Sequence, residues 1–494
     1  MRYTSARPLE ASATLDLGID RADAEPLQAQ IARQLREFVL GGRLKAGQRL
    51  PSSRALAEQL DVARATVVEA FEQLIGEGYL ETRRGSGTAV AARLPEELLS
   101  AGKARPFSAQ PHASKREPAR PFRSGLVDWE SFPHDDWGRT LGRFWRNPPI
   151  TLLEHNDPFG WMPLRKAIAA HLHEWRGISC AAEQVIMTAG GSDAFDLIRR
   201  AVLSAGDQFW LENPGYPTAR RIFSLGGVKT IAMNVDAEGL DVAAARKRAA
   251  KARGAFVTPA RQYPLGVTMP LTRRLDLLAW AQEAKAIVIE DDYDSEYRYV
   301  GRPLPALMSL DTEGRVIYSG TFSKVFSPII RLGFLVVPPA LAEAFRRERL
   351  TFGAPPSLLV QPALAQFMEQ GDFAVHIRRM RRLYAARRDA LMAALASGDP
   401  RLFRLEAPPS GLQLLLHFDR SVDDVGVEKA LADQGFETQA LSTHYTGSRN
   451  EKGLLLGFAG FPEDDLRSAA RRLLAALQPM IKTQSAATRV AASP

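Results

Sequence analysis

The apolar positions fall into three textures along the chain. In PLQAQIARQLREFVL, residues Leu27, Ile31, Leu35, Phe38 and Val39 recur at the spacing that lines one face of a helix. The Gly-rich loop GGRLKAGQRLP follows. SSRALAEQL then predicts a second helix, with Ser52 or Ser53 as its N-cap. The short turn DVA leads to a third helix, RATVVEAFEQLIGEG. YLETRRGSGTAVAA alternates apolar and polar residues around Gly85-Ser86-Gly87, which predicts a two-stranded hairpin. This unit is assigned residues 1–94.

From about residue 95 to 125 the pattern disappears. SAGKARPFSAQPHASKREPARPFRSG is rich in Pro, Ala and Ser and nearly free of aliphatics. Such a stretch buries too little apolar area to offset its ordering entropy and reads as a flexible basic linker. Beyond it, short apolar runs alternate with helical stretches. EQVIMTAG, QFWLENP, KTIAMNV, GAFVTPA, AIVIEDD, RVIYSG and LGFLVVP have the character of strands buried on both faces. SDAFDLIRRAVLSAG and TRRLDLLAWAQEA are two of the helices between them. That alternation predicts a mainly parallel sheet in an α/β domain over residues 126–482. Its last part, around GLQLLLHF and GLLLGFAG, forms a smaller α+β subdomain, and 483–494 is a tail.

Composition narrows the function classes. A chain of 494 residues exceeds what one hydrophobic core supports. Cys180 is the sole cysteine, which excludes an internal disulfide and a multi-cysteine metal site and fits a reducing compartment. No apolar run approaches bilayer-spanning length, and the first residues lack the apolar core of a signal peptide. The protein is therefore expected in the cytoplasm, without a membrane partner. The net charge of +8 permits an anionic partner.

Two helices joined by a short turn and followed by a hairpin make a winged helix-turn-helix. The first turn of the second helix of the pair faces base edges in such a unit, and here it carries Arg64, Ala65 and Thr66. Ser52, Ser53 and Arg54 stand where they can reach phosphates. Arg83 and Arg84 beside Gly85 and Gly87 suit a wing that approaches a backbone or minor groove. RLPSSRALAEQL, TVVEAFEQL and GYLETRRGSGT resemble the GntR-family DNA-binding domain, which implies double-stranded DNA as a partner, contacted by Arg54, Arg64, Thr66 and the wing. Ala63 departs from the family's capping Ser, at an expected cost of about 1 kcal/mol of helix stability. Ala65 stands where the family often has a polar residue.

The large domain carries the four features that a pyridoxal 5'-phosphate (PLP) site needs: a lysine, an anion for the pyridine nitrogen, phosphate donors and a ring support. Lys324 follows the strand RVIYSG in the loop SGTFSKVFSPIIRLGF, where Thr321 and Ser323 can donate to phosphate and Arg331 supplies charge in fork geometry. Acidic residues emerge at the end of AIVIEDDYDSEY, with Tyr293 placed to donate to a ring oxygen. Asp292 and Asp294 are read as solvent-facing or structural. Gly190, Gly191 and Ser192 lie between a strand and a helix start, which offers free N–H groups to a phosphate. Tyr216 in ENPGYPTAR supplies a planar support.

Together these motifs resemble a fold-type I aminotransferase domain. With the N-terminal unit, the chain resembles the MocR/GabR-type regulators over about residues 26–478. The resemblance implies an imine between Lys324 and PLP, Asp291 at the pyridine nitrogen, Tyr293 at the ring oxygen, Arg331 at the phosphate, and a homodimer. It departs from the enzymes in two places. Leu455 stands in GLLLGFAG where they carry the arginine for the substrate carboxylate, and their Asn-Pro-x-Gly turn reads Arg261-Gln262-Tyr263-Pro264-Leu265-Gly266. Arg220, Arg261 and Arg449 are the candidate substitutes. The expected function is thus a DNA-binding transcription regulator that senses PLP, an amine or an amino acid. The competing readings are an aminotransferase with an appended DNA-binding domain, and a cofactor-free dimerisation scaffold.

Overall fold

The computed structural model describes residues 15–83, 87–94, 119–154, 157–301, 305–353, 356–447 and 451–491, with the backbone alone for Arg83, Leu153 and 482–491. The chain separates into two compact units, Met1–Lys115 and Arg116–Pro494.

The first unit contains the predicted trihelical arrangement. Helix α1 spans Leu27–Leu40, α2 Ser53–Leu60 and α3 Arg64–Gly76. Their apolar stripes meet in a core of Ile31, Leu35, Val39, Leu56, Val67, Ala70 and Leu74. Of the two serines, Ser52 is the cap of α2: its Oγ accepts the Ala55 N–H at 3.2 Å. Asp61 turns the chain into α3 in the left-handed region, φ 50°. Ala63 is the N-cap of α3 and offers no side-chain bond, as its methyl group dictates. Strands β1 (Leu80–Arg83) and β2 (Gly87–Val90) pair antiparallel as the wing, with Leu80 opposite Val90. The proposed contacts Arg84 and Gly85 lie outside the described residues, as do 95–118 of the linker and Arg449.

In the second unit every strand read from the sequence forms. An eight-stranded sheet runs in the order β3-β10-β9-β8-β7-β4-β5-β6. Its members are β3 Val185–Thr188, β4 Gln208–Asn213, β5 Lys229–Asp236, β6 Gly239–Leu240, β7 Gly254–Val257, β8 Ile287–Asp292, β9 Val316–Thr321 and β10 Gly333–Val336. Neighbours from β9 through β5 are parallel, whereas β10 is antiparallel to both β3 and β9. Helices cover both faces, which is why β3, β7 and β10 are buried at every position. On one face Trp210 and Trp280 stack with ring centroids 3.6 Å apart. A four-stranded antiparallel sheet, β11-β12-β14-β13, forms the smaller subdomain. It comprises β11 Arg404–Leu405, β12 Gln413–Phe418, β13 Gln439–Ala440 and β14 Lys452–Gly457. Leu391 and Leu395 of the helix Asp372–Leu395 share a core with Leu473 and Leu477 of the helix Glu463–Ala491, which runs on into the stretch set apart as a tail.

The end of the stretch read as linker is docked on the second unit. The Pro121 and Phe122 carbonyls accept the Glu437 and Gly457 N–H groups at 2.9 and 2.8 Å. The Phe122 side chain is wholly buried and stacks on Phe436 at 5.8 Å, with its backbone at φ 72°. A polar, Pro-rich average hides this one aromatic anchor. A single ring burying its area in a fitted hole, together with two strand-like backbone bonds, suffices to order the segment.

Candidate functional site

In the first unit the proposed DNA-facing residues share one end of the helix pair. Arg54 and Arg64 are exposed, and Arg64 Nε donates to Ser53 Oγ at 3.4 Å. That contact is long enough to yield to a phosphate. Thr66 sits in the first turn of α3. Arg83 ends β1, and nothing further is described of its side chain.

In the second unit the nine residues proposed for the cofactor line one cavity of about 390 Å³. The topology explains why. Parallel strands β4, β7, β8 and β9 deliver their C-terminal ends to the same edge of the sheet, where ligands bind in open α/β folds. Lys324 lies one turn beyond β9, in the short helix Phe322–Val325 capped by Thr321 Oγ, which accepts the Ser323 N–H at 3.1 Å. Its Nζ donates to the Gly125 carbonyl at 2.8 Å. Burial disfavours the ammonium and lowers its pKa, with Asp294 pulling the other way. The amine is thereby biased toward its neutral, nucleophilic form.

Asp291, at the end of β8, is half-buried on the cavity wall and accepts the Ser319 hydroxyl at 3.0 Å. Burial pushes its carboxyl up to about 7, against the pull of that hydrogen bond. A half-buried acid on the cavity with one neutral partner is suited to receive a ring N–H⁺. Gly190, at φ 96°, precedes the helix α4 (Gly191–Val202), whose first residues include Ser192. A Cβ at Gly190 would meet no atom within 4 Å, so the N-terminal N–H groups open onto the cavity. Arg331 is exposed and forms no ion pair with any described residue. Tyr216 faces the cavity with Phe195 and Tyr263 at its edges, 6.3 and 5.5 Å between centroids. The set fits a phosphorylated aldehyde on a basic heterocycle: an amine for the aldehyde, an acid for the ring nitrogen, a dipole end and a guanidinium for the phosphate.

Several neighbouring assignments change. Of the two readings of Asp292 and Asp294, the structural one holds and the solvent-facing one does not, since both are buried. Asp292 pairs with Arg176 at 2.8 Å and accepts Tyr318 Oη at 2.9 Å. Asp294 pairs with Arg261 at 3.3 Å. Arg261 also donates to Tyr293 Oη at 3.0 Å and to the Gln413 carbonyl at 2.9 Å, so it is occupied inside the protein. Arg220 does not line the cavity. Leu455 joins Leu415 and Leu441 in an apolar cluster beside Tyr263, Leu265 and Tyr445. The sequence reading missed Ser124 and Gly125, hidden in the polar stretch, and Thr258, Ser319, Gln413 and Gln439, which line the cavity. It also missed Glu212, pushed up to about 7 by burial, which accepts Thr258 Oγ1 at 2.6 Å beneath the site. Strand-end position was the available signal for Thr258 and Ser319; for the glutamines there was none.

Known proteins match both units. The family described as bacterial regulatory proteins, gntR family, matches residues 27–90, and aminotransferase class I and II matches residues 152–473. A Rhizobium meliloti protein named "Probable rhizopine catabolism regulatory protein MocR" is 38% identical over 93% of this chain and 95% of its own. The HTH-type pyridoxine biosynthesis transcriptional regulator PdxR of Corynebacterium glutamicum is 36% identical over 92% and 97%. Among solved structures, kynurenine aminotransferase from Pyrococcus horikoshii superposes with a TM-score of 0.68 at 26% identity, covering 74% of this chain and 92% of that enzyme.

Proposed function

The chain belongs to the MocR-type regulators, in which a GntR winged helix-turn-helix is joined to an aminotransferase class I and II domain, and on that premise we propose that it is a DNA-binding transcription regulator whose large domain holds PLP on Lys324 and reads PLP or an amine as its effector. The observation that carries this reading is the meeting of Lys324, Asp291, the α4 N-terminus and Arg331 on one cavity. PLP, when bound, supplies an aldehyde that condenses with a primary amine. Lys324 would supply the resident amine and Asp291 the charge at the pyridine nitrogen. Gly191, Ser192, Thr321, Ser323 and Arg331 would hold the phosphate, Tyr216 the ring face, and Tyr293 the ring oxygen.

Ser52, Ser53, Arg54, Arg64 and Thr66, with wing residues Arg83, Arg84 and Gly85, would contact the operator. We take the regulator to act as a homodimer on repeated half-sites, in the cytoplasm where its DNA lies. No helix among the described residues is long and apolar enough to cross a membrane. Sensing is favoured over turnover because the arginine that would fix a substrate carboxylate is replaced by Leu455 in an apolar cluster.

Purified protein incubated with PLP should show the visible absorbance band of a bound imine and lose it in Lys324→Ala. Borohydride reduction followed by peptide mapping should place the adduct on Lys324. An adduct on another lysine, or none, ends this reading.

A further inference from the structure

One wall of the cavity comes from the small antiparallel sheet and the docked segment rather than from the large sheet. It carries Gln413, Gln439 and Ser124. Gln413 is only 6% exposed, and its Nε2 finds no acceptor among the described residues. Ser124 Oγ is likewise buried without a partner. Gln439 Oε1 accepts Tyr263 Oη at 3.4 Å, which leaves its own N–H₂ group to donate. Buried donors without acceptors are costly, so their natural complement is a ligand oxygen.

The charges on the cavity limit what that oxygen belongs to. Among the described lining residues the only cations are Lys324 and Arg331, which the cofactor reading assigns to the aldehyde and the phosphate. Arg261 is held by Asp294, Tyr293 and the Gln413 carbonyl. Leu455, directly opposite Gln439 in the β13–β14 register, offers no charge. Asp294, also on the cavity, is neutralised by that Arg261 pair and adds no cation to it. A carboxylate leaving water needs a guanidinium or an equivalent array of donors, whereas amide and hydroxyl groups match neutral oxygens.

We propose that this wall selects a hydroxylated primary amine without a carboxylate, and that Gln413 and Gln439 are its specificity-determining residues. The inference rests on the reading of Lys324 as the PLP lysine.

Serinol and L-serine test it, because they differ only in a CH₂OH group against a carboxylate. Each is titrated into the PLP-loaded full-length protein, with binding read by calorimetry and operator affinity read in parallel. Serinol should bind at least about tenfold more tightly, the worth of one well-placed hydrogen bond against an unpaired charge. Gln413→Leu should bring the ratio of the two affinities toward one, and Gln439→Leu should do the same if the first variant does not fold. Serine binding as tightly as serinol, a response to neither amine, or a ratio unchanged in the variants overturns the inference. If the protein takes up no PLP, or takes it up equally after Lys324→Ala, the fault lies instead in the cofactor reading.

Discussion

Lys324 Nζ donates to the Gly125 carbonyl at 2.8 Å, and that bond joins the proposed cofactor lysine to the segment that leads back toward the DNA-binding unit. Gly125 sits at φ 81°, and a Cβ there would lie 2.5 Å from Lys324 Nζ. Only glycine satisfies both conditions. The segment is pinned close by, at Phe122 on Phe436.

Gly125→Ala should therefore weaken PLP binding by at least about tenfold, since the left-handed backbone alone costs on the order of 1 kcal/mol and the methyl group displaces the amine. Spectroscopic titration with PLP measures this. Undiminished affinity would show that the segment shifts freely away from the lysine.

Asp291→Asn should separate two effects of one half-buried acid. In the ligand-free protein the carboxyl is pushed from 3.8 up to about 7, so the folded state holds its proton where the unfolded chain has released it. Its contribution to stability is full below about pH 4 and is lost as pH rises toward 7. The variant, which does not titrate there, should gain on the wild type over that window, by up to a few kcal/mol. Thermal melts at several pH values read the difference. The same variant should bind PLP more weakly at neutral pH, because the ring nitrogen loses its counter-charge.

Arg331→Ala removes the one cavity guanidinium left free among the described residues. Loss of a charge-assisted phosphate contact should cost about 1.5–3 kcal/mol of PLP affinity. Pyridoxal, which lacks the phosphate, should bind both proteins equally. A variant that loses pyridoxal as well would indicate a general disturbance of the loop.

On the DNA side, Arg64→Ala should cost about 1–3 kcal/mol of operator affinity in gel-shift titrations. Ala63→Ser supplies the side-chain cap that α3 lacks and should stabilise the first unit by about 1 kcal/mol, seen as a higher melting transition in calorimetry. If Arg64→Ala leaves operator affinity unchanged, the first turn of α3 does not lie in the groove.

The sequence by itself determined what depends on neighbours along the chain. Helix faces, buried strands, a serine cap before α2, the missing cap at Ala63 and the strand-end placement of Lys324 and of the acidic cluster that holds Asp291 all follow from local periodicity and backbone chemistry. Tertiary structure alone decided what depends on residues far apart meeting. Arg261 looked available for a carboxylate until Asp294 and Tyr293 were seen to enclose it. Phe122 and Gly125 were submerged in a polar stretch until the Phe436 hole and the lysine gave them partners. Gln413 and Gln439 had no motif to announce them, because they reach the cavity through the register of a second sheet. Periodicity encodes which face of an element is apolar; it carries no record of which distant polar group that element will find opposite.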